Sequence, residues 1–192
     1  MKRNIFFVII IVLFYFQCLA QEVFLPDSTI NGVLLLSSPQ SACLFYKDIS
    51  KIRLQDEISS YNPFGYSYIA FVNKDTSQYL IAFAHDGDVI NSFSAFEIGY
   101  VTSDFLKVVN IHYATDYFLF ETESGLRLNM PLDQLLDLKG ECYLNKYGNT
   151  FFYVIEADKS FFVQKYKHPE YYMRFTVENE AVCKIEFGLT YP

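Results

Sequence analysis

Residues 171–189 read Tyr-Tyr-Met-Arg-Phe-Thr-Val-Glu-Asn-Glu-Ala-Val-Cys-Lys-Ile-Glu-Phe-Gly-Leu, two alternating stretches around a polar centre. On Tyr172 to Val177 the apolar set is Met173, Phe175 and Val177. On Ala181 to Leu189 it is Ala181, Cys183, Ile185 and Phe187, with Lys184 and Glu186 on the opposite face. A period of two marks a half-buried strand. Residues directly opposite in a hairpin share a face, so uniting the two sets places Val177 opposite Ala181 and Phe175 opposite Cys183. Glu178-Asn179-Glu180 is then a three-residue loop. The hairpin has one face to bury and one to leave wet.

A cover for the apolar face lies upstream. Asn129 suits an N-cap, Pro131 the first helical turn, and Leu132, Leu135 and Leu136 recur on one helical face before Lys139-Gly140 stops the helix. The sum is an α+β fold, an antiparallel β-sheet with one or more short helices packed on one face.

Further strands are expected at Val33–Leu36, after the Asn31-Gly32 turn, and in a hairpin of Tyr68–Val72 with Tyr79–Ala84 across the polar Asn73–Gln78. Others are expected at Phe93–Val101, Tyr117–Glu121, Phe151–Glu156 and Phe161–Tyr166. The apolar spacing within residues 40–60 is closer to helical, Tyr61-Asn-Pro-Phe-Gly65 breaks the chain, and Asp86-Gly87 makes a turn.

The N-terminus carries an address. Lys2 and Arg3 precede an apolar run from Ile5 to Phe16, and Cys18-Leu19-Ala20 offers small residues for cleavage. Residues 1–20 therefore read as a signal peptide, with the mature chain starting near Gln21 and exported to the periplasm, the outer membrane or the exterior. The run is too short for a spanning helix. A lipid anchor at Cys18 is the rival reading, opposed by the bulky Tyr15, Phe16 and Gln17 before it. Residues 21–192 suit a single α+β domain; the alternative is two similar halves, 21–115 and 116–192, sharing a sheet.

The chain has 15 basic and 22 acidic residues, and removing Lys2 and Arg3 leaves 13 against 22, a formal charge of −9. That disfavours a nucleic-acid or anionic-membrane partner, since both require a basic face. Of four cysteines, Cys43, Cys142 and Cys183 survive signal removal, an odd number that allows at most one internal disulfide, for which Cys142 with Cys183 is the pair considered, against three buried thiols.

The run Phe120-Glu-Thr-Glu-Ser-Gly-Leu-Arg-Leu-Asn-Met-Pro-Leu-Asp-Gln-Leu-Leu-Asp-Leu-Lys-Gly140 and the ending Phe187-Gly-Leu-Thr-Tyr-Pro192 resemble uncharacterised exported proteins of the Bacteroidetes type. More remotely they are similar to the helix-plus-sheet envelope modules grouped with the outer-membrane assembly lipoprotein SmpA and the β-lactamase inhibitor protein. Asn129 stands where that group usually has a second glycine. The resemblance implies protein–protein recognition rather than chemistry, and carries over no functional residue.

No arrangement of residues in the chain specifies a reaction. His85-Asp86-Gly87-Asp88 gathers ligand types but lacks a second histidine at useful spacing, and Asp-Gly is ordinary turn chemistry. Glu121 and Glu123 share a strand face, as paired glycosidase carboxylates would, and as strand alternation makes common. His112 and His168 are isolated, although folding could bring His168 to Cys142 or Cys183 as a Cys–His pair. No metal or cofactor motif is present. The expectation is a non-catalytic secreted or envelope protein-binding module, the alternative a secreted hydrolase using carboxylates or a Cys–His pair. Aromatic residues on both faces of the C-terminal elements name the candidate partner surface: Phe152, Phe162, Tyr166, Tyr171 and Tyr172.

Overall fold

In the computed structural model the described residues are 25–46, 53–56, 59–85, 92–109, 112–140 and 145–190. Residues 1–20, expected to be a signal peptide and including Cys18, the expected turn at Asp86-Gly87, Asp88 and Cys142 lie outside them. The elements in chain order are β1 (Thr29–Ile30), β2 (Leu34–Leu35), α1 (Pro39–Phe45), β3 (Ser67–Val72), β4 (Gln78–Ala84), β5 (Ala95–Tyr100), α2 (Ser103–Val108), β6 (Tyr113–Ala114), α3 (Leu132–Lys139), β7 (Asn145–Tyr147), β8 (Thr150–Glu156), α4 (Phe161–Tyr166), β9 (Glu170–Glu178) and β10 (Ala181–Leu189). This is an α+β fold.

One eight-stranded sheet runs β6-β3-β4-β5-β10-β9-β8-β7, antiparallel except for the β3–β6 edge. Strands of the two halves of the chain meet at β5–β10, so both halves share one sheet. Among the described residues no helix is long and apolar enough to cross a membrane.

The strands differ in how many faces they bury. On β8 and β9, buried residues alternate with half-buried or exposed ones, whereas Tyr68–Val72 and Tyr79–Phe83 are buried without interruption. Continuous burial requires cover on both sides of a strand. The larger core takes Ile69, Phe71, Leu80, Phe96, Phe175 and Phe187 from the sheet and Phe45 of α1, Leu135 of α3 and Val163 of α4 from above it. The opposite face of β3–β5 packs Tyr68, Tyr79, Ile81 and Phe83 against Phe105 of α2, with Tyr61 and Tyr66 of the 59–66 segment alongside. Past β5 the cover that α2 provides ends, and the 59–66 segment continues over the sheet.

The C-terminal hairpin pairs Val177 with Val182 and Phe175 with Ile185, not with Ala181 and Cys183 as alternation alone predicts. Its loop is two residues, Asn179 (φ 50°) and Glu180 (φ 61°), the left-handed pair of a primed turn whose twist matches the strands. The register breaks between Val182 and Lys184, so Cys183 is the extra residue of a bulge and Val182 takes the core position. Ile185 and Phe187 keep the expected face.

Helix α3 starts at Leu132, not at an Asn129 cap. Asn129 is itself left-handed (φ 63°) and its N–H donates to the Val182 carbonyl, tying the helix entry to β10. The end is as expected, with Gly140 left-handed and its N–H on Leu136 O. Two expected strands differ. Phe161–Tyr166 is helix α4, because Phe162, Val163 and Tyr166 lie on one helical face against the core, and left-handed Lys167 ends it. Tyr117–Glu121 has no ladder partner: Lys74 N–H, Asn73 Nδ2 and Asn31 Nδ2 donate to the carbonyls of Tyr117, Phe118 and Leu119 instead.

Candidate functional site

Registers across four strands set one lateral row on the face that α2 leaves uncovered: Glu97 of β5 opposite Glu186 of β10, Glu186 opposite Arg174 of β9, and Arg174 opposite Phe152 of β8. Lys184 lies two residues before Glu186 on β10, opposite Gly99 and Thr176. Like charges placed directly opposite repel. Here each carboxylate has its own cation. Glu97 Oε1 accepts from Tyr79 Oη at 2.7 Å and Oε2 meets Lys184 Nζ at 2.8 Å. Glu186 Oε2 takes Arg174 Nη1 at 3.3 Å.

Gly99 makes the first pairing sterically feasible. It stands opposite Tyr79, and a Cβ there would overlap the Tyr79 ring, so only glycine lets that ring cross β5 toward Glu97. The ring is held from outside by Phe105, stacked at 4.3 Å and 8°, and by the edge of Tyr61 at 5.8 Å. Tyr61 belongs to the 59–66 segment, whose shape rests on buried Asn62: Nδ2 donates to Tyr66 O and Oδ1 accepts Tyr66 N–H.

The segment overhangs the row and closes a cleft of about 420 Å³ between Tyr61, Phe64 and Tyr66 on one side and Phe152, Tyr172, Arg174, Lys184 and Glu186 on the other. His85 lines it too, its ring 4.4 Å from that of Tyr66. A neighbouring hollow of about 380 Å³ shares Tyr61 and Lys184.

Burial raises the Glu97 carboxyl above its ordinary range, an effect that Lys184 opposes and Glu186 adds to. Burial, then the negative charge of Glu97, pushes the Tyr79 phenol up; burial, then Glu186, does the same to Tyr172. The Tyr79 phenol therefore stays protonated and donates to Glu97. Exposure divides by sign: the side chains of Glu97 and Glu186 are 5% and 17% exposed, those of Lys184 and Arg174 36% and 48%. The cleft floor thus shows its cations to solvent and hides its anions.

Of the five aromatic residues expected to meet a partner, only Phe152 and Tyr172 line this cleft. Tyr171 points to the other face, fully buried, with Oη donating to Asp27 O at 2.8 Å. Neighbours on a strand point oppositely, so Tyr171 and Tyr172 could not share a surface. Phe162 and Tyr166 sit on α4, half-buried against the main core, with the Phe162 ring edge-on to Tyr171 at 5.7 Å.

The carboxylate and histidine candidates are dispersed. Glu123 accepts the backbone N–H and hydroxyl groups of both Ser28 and Thr29, which anchors the N-terminal segment, while Glu121 faces Arg127 at 3.8 Å on the surface. His168 Nδ1 bonds Thr190 O at 3.0 Å, and His112 is exposed. Cys183 Sγ donates to Thr176 O, and burial, then Glu178, pushes its thiol up, away from thiolate character. Among the described residues no group of three or more His, Cys, Asp or Glu is placed to hold a metal ion.

Sequence reasoning missed Glu97, the buried centre of the row. Its signal was present: a single charge inside the apolar run Ala-Phe-Glu-Ile-Gly-Tyr.

No family model, curated protein or solved structure matches this chain. The resemblance to exported envelope modules therefore rests on the residues quoted for it, and function must be argued from the cleft.

Proposed function

We propose that the chain is a non-catalytic, exported binding module of the cell envelope or exterior, and that its working surface is the cleft beneath the 59–66 segment. The observation that carries this reading is the pairing of the cleft's two carboxylates with neighbouring cations. Glu97 is held by Tyr79 and Lys184, and Glu186 by Arg174. A general acid or base needs a proton it can pass to substrate, and a nucleophile needs an activating base. Carboxylates held under their own partners supply rigidity and electrostatic shape, which is what recognition uses. The basic start and apolar run of residues 2–16 support export. The partner this reading favours is another envelope protein.

The test is crosslinking capture with the tagged mature protein from its native envelope fraction, beside a Phe64→Ala/Arg174→Met variant. Phe64 is 76% exposed, so its truncation spares the core. A stoichiometric partner lost in a variant that keeps its circular dichroism and melting temperature supports the reading. Capture unchanged by the variant moves the surface elsewhere. Turnover of a chromogenic ester or glycoside, abolished by Glu97→Gln, would replace binding with hydrolysis.

A further inference from the structure

Resting on the reading of the cleft as a binding site, we infer that it recognises a carboxylate carried on an aromatic or apolar body. The argument begins with unused donors. Arg174 has five N–H groups in a planar fork, and Glu186 engages it through Nη1, while 48% of the side chain stays exposed. Its guanidinium lies 5.5 Å from the Phe152 ring centroid, a contact that fixes the plane of the fork without consuming a donor. Lys184 carries three donors and shows Glu97 as an ion-pair partner, with 36% of its side chain exposed.

The two cations are diagonal neighbours across β9 and β10, since Lys184 faces Thr176 and Glu186 faces Arg174. Such positions bring long side chains within reach of one small group. An anion there meets exposed N–H donors and no exposed carboxylate of comparable accessibility. A cationic ligand would have to reach Glu97 and Glu186 past their own partners. Phe64, Tyr66 and Tyr172 then offer the remaining wall to an apolar body, and a cleft of about 420 Å³ falls within the range that encloses a small ligand or a chain end.

This chemistry has two sources, a free arylalkanoic acid or the C-terminal aromatic residue of a peptide. The experiment titrates the ¹⁵N-labelled mature protein with N-acetylphenylalanine, its uncharged amide, 3-phenylpropionate and a tripeptide ending in Phe with a free carboxylate. The acid is expected to shift backbone resonances of Arg174, Lys184 and Glu186, and the amide to bind at least about tenfold more weakly, the scale of one charge-assisted hydrogen-bonded pair. Arg174→Met, still folded by circular dichroism, is expected to erase that difference. Tighter binding of the tripeptide assigns a peptide end, and tighter binding of 3-phenylpropionate assigns a free acid. Equal binding of acid and amide at these residues overturns the carboxylate assignment while leaving the cleft as a binding site. No cleft shift from any probe also overturns it, and the cleft itself is then judged by the capture experiment.

Discussion

Lys139→Met isolates the most sharply defined energetic feature of the molecule. Lys139 Nζ lies 2.7 Å from Asp27 Oδ2, and both side chains are 1% exposed. The ammonium also donates to Leu25 O at 2.8 Å. Asp27 Oδ1 and Oδ2 accept from Ser124 N and Oγ, and the Asp27 backbone exchanges both its N–H and its C=O with the Tyr171 hydroxyl. The pair thus fastens the segment behind the expected cleavage point to α3 and β9. Its net worth against an apolar pair is small, because desolvating two charges offsets most of their attraction. Removing one partner is different: it leaves an uncompensated carboxylate in a site closed to water, at a cost of ~3–5 kcal/mol. A domain of this size loses roughly 2–4 °C per kcal/mol, so the melting temperature should fall by roughly 6–20 °C. Urea denaturation of the mature protein, read by circular dichroism, measures the loss. Asp27→Asn/Lys139→Met should recover more than ~1 kcal/mol over the sum of the single effects, since it removes both charges and keeps an acceptor for Ser124. A single-variant loss below ~1 kcal/mol, or strict additivity in the double variant, would refute the reasoning.

Glu97→Gln tests burial against pairing. A carboxyl whose folded pKa lies above its unfolded value of about 4.3 contributes stability that is complete below that value and lost as pH rises through the folded pKa. The variant should therefore gain on wild type as pH rises above the unfolded carboxyl pKa of about 4.3, measured by urea midpoints along a pH series. A variant that falls further behind as pH rises would show that Lys184 outweighs burial. Gly99→Ala should displace the Tyr79 ring from its crossing of β5 and cost ~1–3 kcal/mol by the same denaturation assay; an unchanged midpoint would contradict the ring's placement. Cys43, exposed, should be alkylated by iodoacetamide well before Cys183, whose thiol is pushed up by burial and Glu178. Peptide mapping by mass spectrometry at successive times reads the order, and the reverse order would contradict the placement of Cys183.

The legible parts of the fold are those set by nearest-neighbour geometry. Met173, Phe175, Ile185 and Phe187 announce their shared face by alternation, and Leu132, Leu135 and Leu136 announce theirs by helical spacing, because a side chain's direction follows from its own backbone. Phe161–Tyr166 was not legible in this way, since six residues carry too few repeats to separate a strand from a helix pressed on a core. The hairpin register also failed locally. Asn179-Glu180 adopts a primed turn and Cys183 bulges, while Asn129, Met130 and Leu132 hydrogen-bond the start of β10 from outside the hairpin.

The candidate site divides along the same line. Acidic balance, α+β class and the charged outer face of β10 were all carried by residues read in order. That Glu97 faces Glu186 was decided only when β5 paired with β10, and that Arg174 lies on Phe152 only when β8 paired with β9. Local periodicity specifies which way a side chain points along its own strand. Which strand lies beside it is chosen by the burial of both faces of the whole sheet, a property no single stretch of the chain contains.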